Sequence, residues 1–560
     1  MLLLALVTAC SEPNAPAASR HGSVLLVTLD TTRADALSCY GERSGTTPEI
    51  DALAREAVLY ERAFTSAPIT LTAHASMLTG LAPPRHGLRD NGLAALDPAA
   101  HTLAEAARAA GVQTAAFVGA VVLDRALGLD QGFDVYDGPP ARRSSSGHPT
   151  ERSAPEVIDA ALAWLDKRDR ARPFFVWVHL YDAHHPYTPR RALPEKSSEL
   201  ERYLAEVNEM DTELGRLFAR MRAESLFDRT LVCVTADHGE AFGEHKELTH
   251  GAFCWNTTLH VPLVIRRPGG ERAGEHTREL VSVVDVAPTL AEALGATLAP
   301  DIDGRSLLAP RAEGERGAYF ESYAGYLAFG WSPIAGWIDE QGKYVHSSRP
   351  ELYDLALDPE EQHDLVAERS PGALERFRRA IASVVARPAL TGRSGGIDDE
   401  LRAGIQGLGY AAFDATGGAF PDPLEPGQRP SPHAMVGAWR ESLLTQELMN
   451  RGRIEEAAQA LRRLLASDPG NFFLRSQLAS ALIRLGQHAE AMDTLRPLLE
   501  APRVPPQILY KLGVCALRLG RREEAAGFMA RAVELAPDEA RYRAKLEQIR
   551  SGAPGRVEDE

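Results

Sequence analysis

Asp30, Asp237 and His238 are side chains that bind divalent cations, and Thr70 is a hydroxyl that such a cation could activate. Two carboxylates, an imidazole and a hydroxyl make a sound ligand set for a divalent metal. A metal held there would lower the pKa of the Thr70 hydroxyl and supply an alkoxide nucleophile near neutral pH. Each residue alone has a plainer reading. Asp30 could cap a helix, Thr70 could be a loop hydroxyl, and Asp237-His238-Gly239 could be a turn. Their positions along the chain argue for acting together.

The apolar run 24–29 ends on Asp30, and the run 231–234 leads into Asp237-His238. A third run, in "PFFVWVHLYDAHHPY", leads into Asp182, His184 and His185. Continuous apolar runs of this length read as strands buried on both faces. Helical patterns such as "TPEIDALAREAVLY" and "TLAEAARAAGV" lie between them. The alternation predicts an α/β fold with a mixed, largely parallel sheet flanked by helices over 21–310. In such sheets ligands bind beyond the carboxyl ends of the strands. Three strands that each deliver carboxylate or imidazole groups to that edge define a candidate site.

Residues 311–388 change texture: "GAYFESY", "GWIDEQGKYVHSS" and "PELYDLALDPEEQHDL" predict short strands, turns and a closing helix in a small α+β subdomain. The Gly/Pro/Asp-rich stretch 389–437 reads as a linker. Beyond it the chain repeats. Gly452, Gly486 and Gly520 are spaced 34 residues apart, and Glu456-Ala457, Glu490-Ala491 and Glu524-Ala525 hold the same register, as do Leu444, Leu478 and Leu512. A 34-residue helix-turn-helix period resembles tetratricopeptide repeats. Three units are placed at 438–471, 472–505 and 506–539, followed by a capping helix ending near 551 and a disordered tail, 552–560. This all-α solenoid predicts a concave surface for a protein or peptide partner, or a scaffold for oligomerisation.

The 560 residues exceed one ordinary core. A net charge of −16 argues against a nucleic-acid binder, since no basic excess is present to neutralise phosphates. An anionic substrate then requires metal or locally concentrated cations. The cysteines include no CxxC pair, so neither a disulfide framework nor a thiolate zinc site is expected. Cys10 differs, because "MLLLALVTAC" is an apolar run with a lipobox-like end, followed by a polar, Pro/Ala-rich tether up to residue 20. It predicts a lipoprotein of the bacterial envelope, periplasmic or at the outer membrane, touching the membrane only through an anchor at Cys10.

Over 21–388 the chain resembles the sulfatase branch of the alkaline-phosphatase superfamily. The motifs, in order, are "VTLDTTRADALSCYG", "HASMLTGLAPPRHG", "TADHGEAFGEH", "VSVVDVAPTL", "DGRSLL" and "PELYDLALDPEE". The resemblance implies that Asp30, Asp237 and His238 bind metal and that Thr70 is the nucleophile. The departures bear on the chemistry. A formylglycine sulfatase carries Cys or Ser followed by x-Pro-x-Arg, whereas this chain runs Thr70-Leu71-Thr72-Ala73-His74, so no formylglycine is expected. The second Asp of the sulfatase metal pair is Thr31, and the Asn after the late Asp is His238. Fewer hard oxygens and an added imidazole favour zinc or manganese over calcium.

What remains is similar to the superfamily's phosphodiesterases and phosphoethanolamine transferases, which use a Thr nucleophile. The "HGLRDN" spacing then implies that Asn91 holds a non-bridging oxygen; its plainer reading is a turn residue before Gly92. His184 and His250 match histidines that orient the transferred group or protonate the leaving oxygen. With Asp182 they could instead hold a second metal. His185 and His245 read as outer or surface histidines. The expected function is metal-dependent hydrolysis or transfer of phosphate esters of phosphodiester, phosphonate or phosphoethanolamine type. The alternatives are a sulfuric ester hydrolase and a non-catalytic repeat scaffold.

Overall fold

Nine strands assemble the sheet that the apolar runs imply. They are β1 (Ser23–Leu29), β2 (Val58–Phe64), β3 (Gln113–Val118), β4 (Val135–Asp137), β5 (Phe174–Leu180), β6 (Thr230–Ala236), β7 (His260–Val261), β8 (Leu263–Arg266) and β9 (Glu275–Ser282). The computed structural model describes residues 22–41, 47–139, 151–309, 316–393, 397, 401–402, 404–405, 420–500, 504–537 and 539–551. The lipobox, Cys10, the tether and the 552–560 tail lie outside them.

The order is β4-β3-β5-β1-β6-β8-β2-β7, with β9 alongside β2. From β4 to β6 every pairing is parallel, and β8 then joins β6 antiparallel. Every residue of β5 and β6 is buried, as is β1 beyond Ser23, as continuous Val/Leu/Phe runs require when helices cover both faces. Register sets the height at which the polar residues emerge. Leu29 is level with Leu180 on one side and Ala236 on the other, so Asp30 and Asp237 leave adjacent strands at the same height.

The helix Thr70–Thr79 is buried at every position. Its start, not one of its faces, is the functional feature, because it brings Thr70 to the same strand edge.

A second, antiparallel sheet comprises β10 (Ala318–Ser322), β11 (Ile334–Asp339), β12 (Gly342–His346) and β13 (Glu351–Tyr353). The helix Pro371–Val385 packs Phe377 and Ile381 against it. The described part of 389–437 packs on the protein. Arg393 pairs its backbone with Ala95, Ile397, Leu401 and Ile405 enter the core beside Leu88 and Leu96, and Phe420 lies edge-on to Tyr323.

The repeats form helix pairs: Val436–Asn450 with Ile454–Ser467, Phe472–Arg484 with His488–Leu495, and Pro506–Arg518 with Arg522–Leu535. Ala540–Ser551 caps them. Gly452, Gly486 and Gly520 turn each pair at φ of 74°, 71° and 73°, a left-handed conformation that a side chain would oppose. No helix among the described residues is long and apolar enough to cross a membrane.

Candidate metal centre and active site

Asp30 follows β1 directly, and its N–H donates to Leu180 O at 2.9 Å, which ties it to the end of β5. Its Oδ2 lies 3.1 Å from His179 Nε2, while Oδ1 is buried without a hydrogen-bond partner. Asp237 follows β6. Its Oδ1 accepts from the backbone N–H groups of Thr31, at 3.1 Å, and His238, at 2.8 Å. Its Oδ2 has no hydrogen bond. Thr31, at φ 50°, turns its hydroxyl away to Ala183 O, so the place of a third carboxylate contributes only a backbone donor.

His238 Nδ1 is 3.0 Å from the Gly239 carbonyl, which can only accept, so the proton sits on Nδ1 and Nε2 is the basic atom. That Nε2 stands 3.3 Å from Thr70 Oγ1 and 3.4 Å from Asp237 Oδ2. Asp30, Asp237 and His238 each offer a ligand atom within 4.8 Å of the others, and all are buried. Burial, with the Asp237 charge next, pushes Asp30 well above the usual carboxylate range. Burial acts the same way on Asp237, but the imidazoles of His238, His74 and His179 outweigh it and hold that carboxyl low.

Two buried carboxylates, each with an unpartnered oxygen and a basic imidazole nitrogen between them, fit a divalent cation. Neither oxygen has a hydrogen-bond partner, an arrangement that burial makes costly without a cation.

Thr70 opens its helix, and Asn91 accepts from the Leu71 N–H at 2.9 Å, capping that helix from outside. The Asn91 side-chain NH₂ is buried without a partner beside the first turn of the Thr70 helix. His184 and His250 join His238 in a row, with ring centroids 5.3 Å apart for the first two and 4.4 Å for the last two. His250 Nδ1 lies 3.0 Å from Glu240 Oε1, and Glu240 Oε2 accepts from Tyr187 at 2.9 Å. Burial lowers His184 to about 3 and His250 to about 4, so both are neutral at pH 7.

Asp182 does not join them. Its Oδ1 takes Arg190 at 2.9 Å and its Oδ2 the Ala154 N–H at 2.7 Å, so the trio Asp182, His184 and His250 is not assembled as a second metal site. His185 is exposed, and His245 stacks on Trp255.

Comparison with known proteins bears on this arrangement. Residues 23–296 match the sulfatase family model, and 243–379 match the C-terminal model of N-sulphoglucosamine sulphohydrolase. Residues 448–509 and 507–539 match tetratricopeptide repeats. The chain carries a sulfatase-family domain fused to tetratricopeptide repeats.

An uncharacterized sulfatase of Escherichia coli (strain K12) is 25% identical, over 62% of this chain and 83% of its own length. A multifunctional alkaline phosphatase superfamily protein of Trinickia caryophylli is 32% identical, over 31% of this chain and 37% of its own. A phosphonate monoester hydrolase of Agrobacterium radiobacter shares the fold at TM-score 0.54 and 24% identity, covering 65% of this chain and 95% of that one. The protein is an enzyme of the sulfatase/alkaline-phosphatase superfamily with a candidate metal-binding active site.

In this sulfatase-family site two residues stand out that sequence reading did not single out as site residues. His74 and His179 form a second buried group with Asp237. Trp177 donates to Thr28 Oγ1 at 2.9 Å, and Thr28 lies 3.0 Å from His74 Nε2. His74 Nδ1 is 2.8 Å from the Thr70 carbonyl, so it carries the proton and donates. With both nitrogens engaged, His74 holds the first turn of the Thr70 helix rather than serving as a ready ligand. His179 orients Asp30 through their 3.1 Å contact. The His74 signal was its i+4 spacing from Thr70. His179 was masked by the apolar run around it.

Proposed function

We propose that the protein is a metal-dependent hydrolase or transferase of anionic esters whose nucleophile is Thr70. The observation that carries this is the Thr70 hydroxyl, 3.3 Å from a basic imidazole nitrogen at the start of a buried helix, within the Asp30–Asp237–His238 group. Those three residues and the Thr70 hydroxyl would hold a divalent cation, and the added imidazole favours zinc or manganese over calcium. When bound, the metal supplies Lewis-acid polarisation of the ester and a lowered pKa at the Thr70 hydroxyl.

Thr70 Oγ1 forms the bond to the central sulfur or phosphorus as the bond to the leaving oxygen breaks, and the proton that the Thr70 hydroxyl gives up ends on that oxygen. Asn91 donates its unpartnered NH₂ to a non-bridging oxygen; one such donor is worth roughly 10²–10³ in rate. His250, turned by Glu240 so that Nδ1 holds its proton, presents Nε2 to accept a proton from the water or alcohol that cleaves the Thr70 ester. His184 stacks on Tyr181 and completes the polar wall.

Sulfate esters are the substrate class that the comparisons favour: the family model and the E. coli relative both carry the sulfatase name. One observation favours phosphorus esters as a second reading. Residue 70 is Thr, which has no route to formylglycine and so lacks the hemiacetal path by which that group releases sulfate.

The test is turnover of aryl sulfate, phosphodiester, phosphonate monoester and phosphate monoester by metal-reconstituted protein, beside Thr70→Ala. Sulfate turnover lost in the variant supports the first reading, and phosphorus-ester turnover lost in it supports the second. Undiminished turnover in clean Thr70→Ala protein removes Thr70 as nucleophile.

A further inference from the structure

The segment 237–255 has two faces. One carries Asp237, His238, Glu240 and His250, the groups of the candidate site. The other carries His245, Phe253 and Trp255, and it is covered by His433, just before the first repeat, and by Trp439, in the first repeat helix. His245 stacks on Trp255 with centroids 3.8 Å apart and planes 9° apart. His433 stacks on the same indole at 4.0 Å and 17°. Two rings cannot share one face of an indole at those distances, so the tryptophan is clamped between them.

The clamp is anchored at both ends. His245 Nε2 donates to Glu360 O at 2.8 Å, and His433 Nδ1 meets Glu351 Oε2, on β13, at 2.5 Å. Trp439, in the first repeat helix, packs edge-on against Phe253 and also touches Trp331 and Phe329. The turn that presents His245 is strained. His245 and Lys246 are consecutive non-glycine residues at φ 49° and 67°. Such a conformation persists only where its surroundings hold it.

We propose that His433 is a positioning residue for the active site. By clamping Trp255 against His245 it fixes the 237–255 segment, so the stretch that leads into the repeats is part of what keeps Asp237, His238 and His250 in register. This rests on the reading of those three residues as the site.

The test uses the full-length chain with His433→Ala and His433→Phe, the second keeping a flat ring for the stack while losing the Glu351 contact. Amide hydrogen exchange is followed in 237–255, in β1 and in the repeat helices, together with affinity for zinc and manganese. An aromatic pair of this kind changes a local opening constant by up to about tenfold. The expected result is exchange in 243–255 faster by that order in His433→Ala, weaker metal binding, unchanged exchange in β1, and recovery of both in His433→Phe.

Exchange in 237–255 equal to wild type in the Ala variant overturns the proposal, and so does an equal effect of Ala and Phe. If His433→Ala loosens the repeat helices as well, His245→Ala decides. It removes the other jaw of the clamp without touching the repeats, and unchanged exchange around Trp255 in that variant overturns the proposal. Exchange needs no substrate, so an absence of turnover on every ester, which would count against the functional reading, leaves this result intact.

Discussion

Asn91 does two jobs with one amide, and substitutions separate them. Its oxygen caps the helix of Thr70, and its NH₂ is the candidate donor to substrate. Asn91→Ala should lose about 1 kcal/mol from the cap and roughly 10²–10³ in turnover from the donor. Asn91→Asp should keep the cap and still lose the rate; thermal melts and kcat on the same samples distinguish these effects, and a fully active Asp variant would remove the donor role. Its neighbour Asp90 has one oxygen on the Asn91 N–H and the other buried without a partner, and burial pushes its pKa up to about 7. A carboxyl near 3.9 when unfolded and near 7 when folded binds more protons in the native state between those values. Stability therefore falls as pH rises from about 4 to 7, and the full cost persists above. Asp90→Asn keeps the acceptor and removes the charge, so it should be more stable than wild type by about 1–4 kcal/mol at pH 8, with the gap closing by pH 4. Denaturant unfolding at the two pH values checks this, and a gap independent of pH would contradict it.

At the scale of elements, the strand edge depends on a tight passage just after Asp237-His238. A Cβ at Gly239 would lie 2.1 Å from Thr257 O, and the Gly239 N–H donates to Thr258 O at 2.9 Å. Gly239→Ala must push the Asp237-His238 segment off β6 or tear that contact. Overpacking of this kind costs about 1–3 kcal/mol, and here it should also weaken metal binding, since the displaced residues are the proposed ligands. A melt and a chelator competition read the two effects, and wild-type behaviour in both would mean the passage is looser than it looks. The strand ends themselves were legible in the sequence. Unbroken apolar runs of this length, set between helical patterns, read as strands buried on both faces, so the polar residues that end them gather at one edge. The 34-residue period was legible for a similar reason, because each pair must bury its face on the next. Asp182 was misleading: it too ends an apolar run, but Arg190, eight residues on, folds back and occupies it. Nor could composition show that the Gly/Pro-rich stretch would dock, since what holds Ile405 and Phe420 is a surface made by residues as distant in sequence as Gly92 and Tyr323.

At the scale of the molecule, the sulfatase-family domain and the repeats share a core rather than a tether. Phe64, Ile69, Phe253, Trp331 and the small sheet's Phe320 belong to one apolar cluster with Trp439, Phe473 and the repeat interior. Phe329 stacks on Trp331 at 4.5 Å and meets Phe473 at 6.1 Å, so the first two repeats cover aromatic surface of the catalytic side. An aromatic side chain buries about 150–250 Å², so removing the repeats uncovers on the order of several hundred Å², a patch size at which soluble proteins associate. Two truncations separate the contributions. A chain ending at residue 435 keeps Ile397, Leu401 and Ile405 in the main core and His433 on Trp255, but loses Trp439 and Phe473. A chain ending at 388 loses those core residues as well and opens the wall beside Leu88 and Gly92, where Ile405 now packs. Both should melt lower than the full chain and bind a hydrophobic dye at temperatures where the full chain does not, and the shorter should be the worse. Light scattering with dye binding measures this. A truncation at 388 that stays monomeric and melts with the full chain would show that the shared cluster contributes nothing to the catalytic domain. It would make the repeats an independent module, which the continuous aromatic packing from Phe253 to Phe473 does not allow.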